Sequence, residues 1–310
     1  MGIFKVIEKV SCKESNGKIF KLLLRTVDNY LIEETIGYIH IGNIIKPLIK
    51  GSFHNYYHTF VCVSTQVGCP LQCKFCANQK ISFVRNLSTS EIVEEVILAQ
   101  NILGNLDKNS IKEREVKYGG VGEPLFNLTN VIKSIEIISR MLGNDTSFIL
   151  STSGHPISKL DDLIDILKTK KYYEVFLHVS LHASNNRIRK YLMNLEEINE
   201  LFERIKLYIK LVRSPVILNY LIIRNINDDP KYANELSSLI ITNGIQNHTI
   251  VKLSIPSFIG SIFSIPPPIS RIMEFLDVLR SHDIRVFLFR SGGTSIAAGC
   301  GQLIAREQPQ

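Results

Sequence analysis

Three cysteines lie within eight residues of one another, at Cys69, Cys73 and Cys76. Thiolates at such short spacings are typical metal ligands, and three of them can hold three irons of a cubane iron–sulfur cluster. The fourth iron would then stay open to a small chelating molecule. The alternative is a zinc site, which normally requires four ligands. The next cysteine along the chain is Cys300, and no histidine stands at the usual ligand spacing, so the iron–sulfur cluster is favoured.

A glycine-rich turn follows the next predicted strand and includes Gly122 and Glu123. Glycine lets the backbone approach a bound ligand closely, and a carboxylate at a strand end can accept hydrogen bonds from an ammonium group. On its own, the pattern is also that of an ordinary strand-to-helix turn. Polar side chains that end two later strands could bind the same ligand or could cap the following helices. These side chains are Ser151, Ser180 and His182.

The elements that position these residues alternate between strand and helix from about residue 60 onward. The predicted strands are residues 60–65, 115–119, 147–151, 174–181, 216–223, 249–255 and 284–289. The predicted helices are residues 90–103, 128–142, 159–168, 199–211, 231–241 and 271–281, and Ser90 with Glu91 is expected to cap the first. This alternation predicts a parallel α/β sheet, either open or wound into a barrel. In such folds the chemistry lies at the carboxyl ends of the strands, where the motifs fall.

The first part of the chain has a different pattern. Two β-rich runs flank Asp28-Asn29, a pair that is typical of turns. We therefore expect a small β-rich appendage over residues 1–58 and an α/β unit over residues 59–310.

The chain has 310 residues, a net charge of +7 and an isoelectric point of about 9.0. A basic surplus suits a polyanionic partner such as RNA, and equally suits an ordinary basic enzyme. No apolar run approaches the ~18 to 20 residues that cross a membrane. The charges scattered through the N-terminus argue against a signal peptide. We therefore expect a cytoplasmic protein with no membrane partner.

The cysteine spacing, with Phe75 before the last cysteine, resembles the radical SAM superfamily, and the glycine turn looks like its GGE element. A closer resemblance, from about residue 18 to the end, is to the RlmN/Cfr family of class A radical SAM RNA methyltransferases. The segments that carry it, in the family's order, are residues 62–76, 122–127, 151–154, 180–183, 226–228 and 300–303. The resemblance implies a radical SAM partial (β/α)6 barrel. It also implies a 4Fe-4S cluster on the three cysteines, with S-adenosyl-L-methionine (SAM) beside the polar strand ends.

The same resemblance implies roles for two further cysteines. Cys300 looks like the family's methyl carrier, which one SAM methylates and a radical from a second SAM activates. Cys62 looks like the resolving cysteine, which attacks Cys300 and releases the methylated base, leaving a disulfide. The alternatives are a small buried strand residue for Cys62 and a free thiol near the C-terminus for Cys300. Gly299 and Gly301 flank Cys300 with the flexible backbone that a moving carrier needs.

The resemblance also implies a general base on the strand before the barrel. Residues 31–36 look like the family's VETV stretch, which points to Glu34. The neighbouring Glu33 is the competing assignment, and an exposed carboxylate pair on a hairpin is the alternative without a catalytic role. Cys12 is interpreted as an incidental thiol.

Some features depart from the family's pattern. The family's helical N-terminal RNA-binding domain is expected to be missing, because the sequence begins near the β-rich appendage. Residues 51–58 look like an insertion whose aromatic side chains could stack on a base, although a surface loop is the simpler interpretation. The family's SAM-contacting asparagine is replaced near residues 255–257. The acidic residues that usually precede the carrier cysteine are absent from residues 295–298.

Residues 66–68 and 123–125 look like the RlmN branch, which methylates carbon 2 of adenine, whereas the Cfr branch methylates carbon 8. The resemblance therefore implies a carbon-2 methyltransferase for adenosine in ribosomal RNA, with transfer RNA as a further candidate. A flavodoxin or ferredoxin would supply electrons, and the enzyme is expected to be a monomer. The same chemistry on another RNA or on a small molecule is a second hypothesis. A non-catalytic metal module that binds nucleic acid is a third.

Overall fold

The structure is a computed structural model that describes residues 2–40, 57–106, 110–143, 145–169, 174–257, 261–299 and 301–307. Ten strands form one sheet, and two short strands form a separate ribbon. In chain order the strands are β1 Lys5–Glu14, β2 Gly17–Arg25, β3 Leu31–His40, β4 Tyr57–Val63, β5 Gln66–Val67, β6 Arg85–Asn86, β7 Ile111–Tyr118, β8 Thr146–Thr152, β9 Glu174–Ser180, β10 Val216–Leu221, β11 Thr249–Ser254 and β12 Val286–Phe289.

The ten-stranded sheet has an antiparallel part and a parallel part. Its order is β1-β2-β3-β4-β7-β8-β9-β10-β11-β12, and β5 pairs with β6. In this sheet the pairs from β1 to β4 are antiparallel and the pairs from β4 to β12 are parallel, whereas the separate β5–β6 pair is antiparallel. Strand β3 pairs with β4 through Thr35 opposite Cys62 and Gly37 opposite Phe60. The β-rich N-terminal region is therefore joined edge to edge with the parallel sheet.

Helices follow the parallel strands, as the alternating pattern predicts. They are α1 Thr89–Leu103, α2 Leu128–Leu142, α3 Ile157–Thr169, α4 Asn186–Met193, α5 Ile198–Val212, α6 Pro230–Thr242, α7 Ile269–Ser281 and α8 Ile304–Glu307. Helix α1 begins with a capping box, in which Ser88 Oγ accepts from Glu91 N and Glu91 Oε2 accepts from Ser88 N. The expected cap at Ser90 is wrong, because that residue lies inside the first helical turn.

Successive residues of the parallel strands face two different environments. On β7, Val116 and Tyr118 are buried in the hydrophobic core under the helices. Glu115 and Lys117 on the same strand line a cavity on the other side of the sheet. Since all ten strands of the sheet contribute residues to that one cavity, the sheet curves around it.

The predicted α/β fold class is confirmed, and the observed strands and helices cover the predicted segments within a few residues at most ends. The sequence pattern did not predict β1 or α4. Among the described residues no helix is long and apolar enough to span a membrane. Residues 51–56 of the expected insertion, and Cys300, lie outside the described residues.

Candidate active site

A cavity of about 840 Å³ lies on the concave side of the sheet. Its wall includes Gly119, Ser180 and Ser254 at the carboxyl ends of parallel strands. Lys21 of the antiparallel part and Cys76 of the cysteine motif also line it. This position is where α/β barrels bind their substrates, so the cavity is the candidate active site.

The cysteine motif forms a tight loop between β5 and β6. Gly68 opens the loop with φ at +72°, and a Cβ there would lie 2.1 Å from the carbonyl oxygen of Ser82. The two sides of the loop therefore pack too closely for any side chain. Cys76 N donates to Cys73 O at 3.0 Å, which turns the loop back on itself. Cys76 lines the cavity, whereas Cys69 and Cys73 do not.

The three thiols have the chemistry of cluster ligands. Burial raises the pKa of Cys69 to about 12, and burial followed by the neighbouring Cys76 and Cys69 thiols raises the pKa of Cys73 well above its ordinary value. Thiols in such a place become thiolates when a metal cation replaces their protons. In the described part of the chain, no three His, Cys, Asp or Glu side chains converge on a single ion. A cubane gives each thiolate an iron of its own, so the donor set fits a cluster.

Glu123 joins the ends of two neighbouring strands. Its carboxylate accepts from Thr152 Oγ1, from Ser153 N at 2.8 Å and from Leu125 N at 3.2 Å. Burial raises the pKa of this carboxyl above its ordinary value, and these hydrogen bonds act in the opposite direction. The side chain is buried and is not among the described residues that line the cavity.

The structure brings together only part of the expected SAM-contacting set. Ser180 and His182 line the cavity, together with Gly119 and Gly120 of the glycine turn. Gly122 and Ser151 are not among the described residues that line the cavity. A Cβ on Gly119 would lie 3.1 Å from Ser151 Cβ, so Ser151 sits directly behind this turn.

His182 is held as a neutral ring. Burial, followed by the charge of Arg189, lowers the pKa of His182 to about 3. Its Nδ1 accepts from Leu221 N at 3.0 Å, which places the ring proton on Nε2. The ring packs edge-on against Phe75 of the cysteine loop, with the centroids 4.7 Å apart. Asn227 Nδ2 donates to His182 O at 2.8 Å and fixes the turn that presents the ring.

Cys62 on β4 and Gly299 both line the cavity. Cys300 lies outside the described residues, so the structure gives no position for its sulfur. Burial raises the pKa of Cys62 above its ordinary value, and Lys117 and Lys21 act in the opposite direction. The cavity therefore places the expected resolving thiol beside two lysines whose charges offset only part of the effect of burial, so the thiol form is favoured.

Glu34, the general base implied by the resemblance, is not among the described residues that line the cavity. Side chains alternate along β3, so Glu33 and Thr35 line the cavity while Glu34 points to the opposite face. Glu34 is fully buried there, and its two carboxylate oxygens have no hydrogen-bond partner among the described residues. Burial, followed by the charge of Glu95, raises the pKa of Glu34 well above its ordinary value. The carboxylate at the cavity is the competing candidate, Glu33.

Arg189 is a residue of the site that the sequence analysis did not identify. The residue lies on α4 and is 2% exposed. Nη2 donates to Ser153 O at 2.5 Å, and Nη1 donates to Leu181 O at 2.9 Å and Ser180 O at 3.3 Å. The guanidinium therefore ties the end of β8 to the end of β9 beneath the polar strand ends of the site.

Polar residues deep in the cavity were also missed. Lys117, His178 and Lys252 line it from three different strands. Burial, followed by Lys117, lowers the pKa of Lys252 to about 7, and its Nζ lies 3.4 Å from the ring centroid of Phe289. Burial, followed by the two lysines, lowers the pKa of His178 to about 3. A lone charged residue inside an apolar strand was the available signal, since such a residue needs a polar cavity.

Comparisons with known proteins agree on the relatives of this chain. The family model of the radical SAM superfamily matches residues 63–235. A probable dual-specificity RNA methyltransferase RlmN of Caldicellulosiruptor saccharolyticus is 32% identical over 94% of this chain and 78% of its own length. One of the same name from Dictyoglomus turgidum is 36% identical over 79% of this chain and 68% of its own length. The crystal structure of a radical SAM methyltransferase from Sphaerobacter thermophilus superposes with a TM-score of 0.81, at 27% identity, over 97% of this chain and 81% of that chain.

Proposed function

Since the chain belongs to the RlmN family of radical SAM RNA methyltransferases, which use a 4Fe-4S cluster and SAM, we propose that it methylates carbon 2 of adenosine. Ribosomal RNA is the proposed substrate, with transfer RNA as a second one, and the methyl group travels on Cys300. The relatives named as dual-specificity RNA methyltransferases support a choice of two RNAs. The site of action is then the cytoplasm, where both RNAs are found.

One observation carries this proposal: a single cavity brings together three parts of the expected chemistry. Its wall contains Cys76 of the cluster motif, Cys62 as the resolving thiol, and Gly299, the neighbour of Cys300 in the chain. A group transferred between two sulfurs and a base needs this proximity, because each step requires van der Waals contact between the reacting atoms.

Each residue then has a defined task. Cys69, Cys73 and Cys76 would hold the cluster, which supplies the electron that cleaves SAM to methionine and a 5′-deoxyadenosyl radical. Cys300 Sγ accepts a methyl group and presents its carbon to adenine. Cys62 Sγ then bonds to Cys300 Sγ as the sulfur–carbon bond to the base breaks, and a thiol reductant opens the resulting disulfide.

The cavity also suits the proposed substrate. Lys117 places positive charge inside it, Lys252, with a pKa of about 7, adds to this charge as the pH falls below neutral, and the whole chain carries a net charge of +7. These charges favour entry of a nucleotide of a polyanionic chain. A flavodoxin or ferredoxin is the proposed electron donor, and a monomer is the proposed working form.

The test uses the anaerobically reconstituted protein with SAM, a reductant and unmodified ribosomal RNA or transfer RNA, followed by digestion and mass spectrometry of the nucleosides. We expect 2-methyladenosine, its complete loss in Cys300→Ala, and its retention in the control Cys12→Ala, since Cys12 lies on β1 outside the cavity lining. Methylation at carbon 8 would contradict the proposed position. Formation of 5′-deoxyadenosine without RNA methylation would contradict the proposed substrate and leave a different RNA or a small molecule in its place.

A further inference from the structure

A buried ion pair joins the two middle strands of the antiparallel part. Lys21 on β2 and Glu33 on β3 lie with Nζ and Oε1 2.7 Å apart, and their side chains are 2% and 0% exposed. Removing two charges from water is costly unless further hydrogen bonds satisfy their remaining atoms. The partners of this pair therefore indicate what it is built to hold.

The carboxylate of Glu33 holds the backbone that follows Cys300. It accepts from Gly301 N, from Leu303 N at 3.1 Å and from Ile304 N at 3.3 Å. Ile304 is the first residue of the short helix α8, so the carboxylate also accepts from an N–H group that has no partner within the helix. Both carboxylate oxygens are engaged by this segment.

The ammonium group of Lys21 holds the backbone that precedes Cys300. Its Nζ donates to Gly299 O at 3.4 Å and to Thr35 Oγ1 at 2.9 Å. The Thr35 hydroxyl in turn donates to Ala298 O at 3.3 Å. The ion pair and Thr35 therefore contact the chain on both sides of Cys300, within two residues on one side and four on the other.

The held segment also packs against the cysteine loop. Gly301 has φ at +75°, and a Cβ there would lie 2.2 Å from Asn78 Oδ1 and 2.8 Å from Asn78 N, two residues beyond Cys76. Leu303 and Ile304 are buried in a small apolar cluster separate from the main core. The segment is thus fitted to one place, between β3 and the loop that would carry the cluster.

We propose that Lys21, Glu33 and Thr35 form a dock for the carrier segment, defined as residues 298, 299 and 301–304, and that this dock positions the backbone on either side of Cys300 for the methylation of that residue. This proposal depends on the role of methyl carrier that the proposed function gives to Cys300. The three dock residues are positioning residues, because they act on the backbone beside the carrier sulfur. Glycine has no Cβ and restricts the backbone least, so Gly299 and Gly301 alone would not fix the chain beside Cys300. The hydrogen bonds of the dock supply that restraint.

A dock and a general base make different predictions for Glu33. A base that removes a proton from adenine acts after RNA has bound, so its loss leaves methylation of Cys300 by SAM unchanged. A dock acts before RNA binds, so its loss slows that methylation and loosens the segment. Methylation of Cys300 in the absence of RNA therefore separates the two roles.

The experiment compares the reconstituted holoenzyme with Glu33→Gln, Lys21→Met and Thr35→Val. Hydrogen–deuterium exchange of the peptide that contains residues 301–304 reports how well the backbone amides that donate to Glu33 are protected. Intact mass after incubation with SAM, without RNA, reports the rate of Cys300 methylation, and equilibrium dialysis reports SAM binding. Glu34→Gln is the matched control, since it changes the adjacent buried carboxyl, which faces away from the segment.

In Glu33→Gln and Lys21→Met we expect exchange in this peptide to be faster by about 10- to 100-fold, with slower Cys300 methylation and unchanged SAM binding. Thr35→Val, which keeps the side-chain shape, should show a smaller effect in the same direction and remains informative if the charge variants do not fold. Glu34→Gln should match the wild type in this peptide.

Unchanged exchange in the folded dock variants would overturn the proposal. Faster exchange with wild-type methylation of Cys300 would overturn it as well, because the segment would then need no positioning. A wild-type enzyme that never methylates Cys300 would instead overturn the proposed carrier, and the proposed dock for that carrier with it. The exchange data would still show whether Glu33 holds the segment.

Discussion

Replacing Arg189 by methionine should weaken the fold at the floor of the active site. The variant keeps the aliphatic bulk of the side chain in α4 but removes three hydrogen bonds, to the carbonyl oxygens of Ser153, Ser180 and Leu181. Burial lowers the pKa of Arg189 to about 10, so the guanidinium is charged at neutral pH and its bonds are charge-assisted. The three carbonyls of the variant would have lost a charged donor in a buried place.

The size of the effect follows from those bonds. A buried polar group left without its partner costs about 1 to 3 kcal/mol, and neighbouring losses are not additive, so we expect about 3 to 5 kcal/mol in total. For a chain of 310 residues, that corresponds to a melting temperature lower by about 5 to 8 °C. The melting temperature of Arg189→Lys should lie between those of the wild type and Arg189→Met, since one ammonium group cannot reach both strand ends.

The assay is thermal unfolding of the anaerobically reconstituted proteins, followed by circular dichroism. Arg187→Met is the matched control on the same helix, because Arg187 is exposed and its guanidinium contacts Tyr232 Oη at 3.2 Å. We expect this control to change stability by no more than about 0.5 kcal/mol. If Arg189→Met lowered the melting temperature no further than Arg187→Met, the burial argument would be refuted.

Two further predictions concern the buried carboxyl on β3 and the cluster. Burial and Glu95 raise the pKa of Glu34, so its contribution to stability is complete below the ordinary pKa and is lost as pH rises through the folded value. Glu34→Gln should therefore gain melting temperature relative to the wild type between about pH 5 and about pH 8, and a pH-independent difference would count against this. Cys73→Ala should remove bound iron and the brown colour of the reconstituted protein, while Cys12→Ala keeps both; wild-type iron content in Cys73→Ala would show that the thiol is no ligand.

Much of the fold could be predicted because its elements have clear local signals. Helix α2 was predicted at its observed bounds, since its apolar residues repeat at helical spacing and Gly143 ends it with φ at +88°. Strand β1 was not predicted, because it is an edge strand with mostly exposed residues that is held by pairing with β2. Pairing of this kind leaves little hydrophobic pattern in the sequence.

The sequence leaves the site ambiguous where neighbouring residues have the same chemistry. Glu33 and Glu34 are adjacent and both buried, because β3 is covered on both faces, so composition could not show which one meets the cavity. A shift of one residue along a strand exchanges its faces, and only the pairing of Thr35 with Cys62 settles the choice. Arg189 was missed for a related reason. Its helix, α4, is mostly polar, and the sequence does not show which side of it becomes buried when the chain folds.

The contacts between the dock and the carrier segment also have a consequence for how the protein is made. Lys21 and Gly299 are 278 positions apart in the chain, and Glu33 and Gly301 are 268 apart. Contacts of such long sequence separation form late, because the loop between their ends must close first. During synthesis on the ribosome, the strands emerge and can pair before residue 300 has been added. The proposed carrier cysteine is therefore added after the segments that would hold the cluster and SAM, and a chain that ends before residue 300 lacks the methyl carrier.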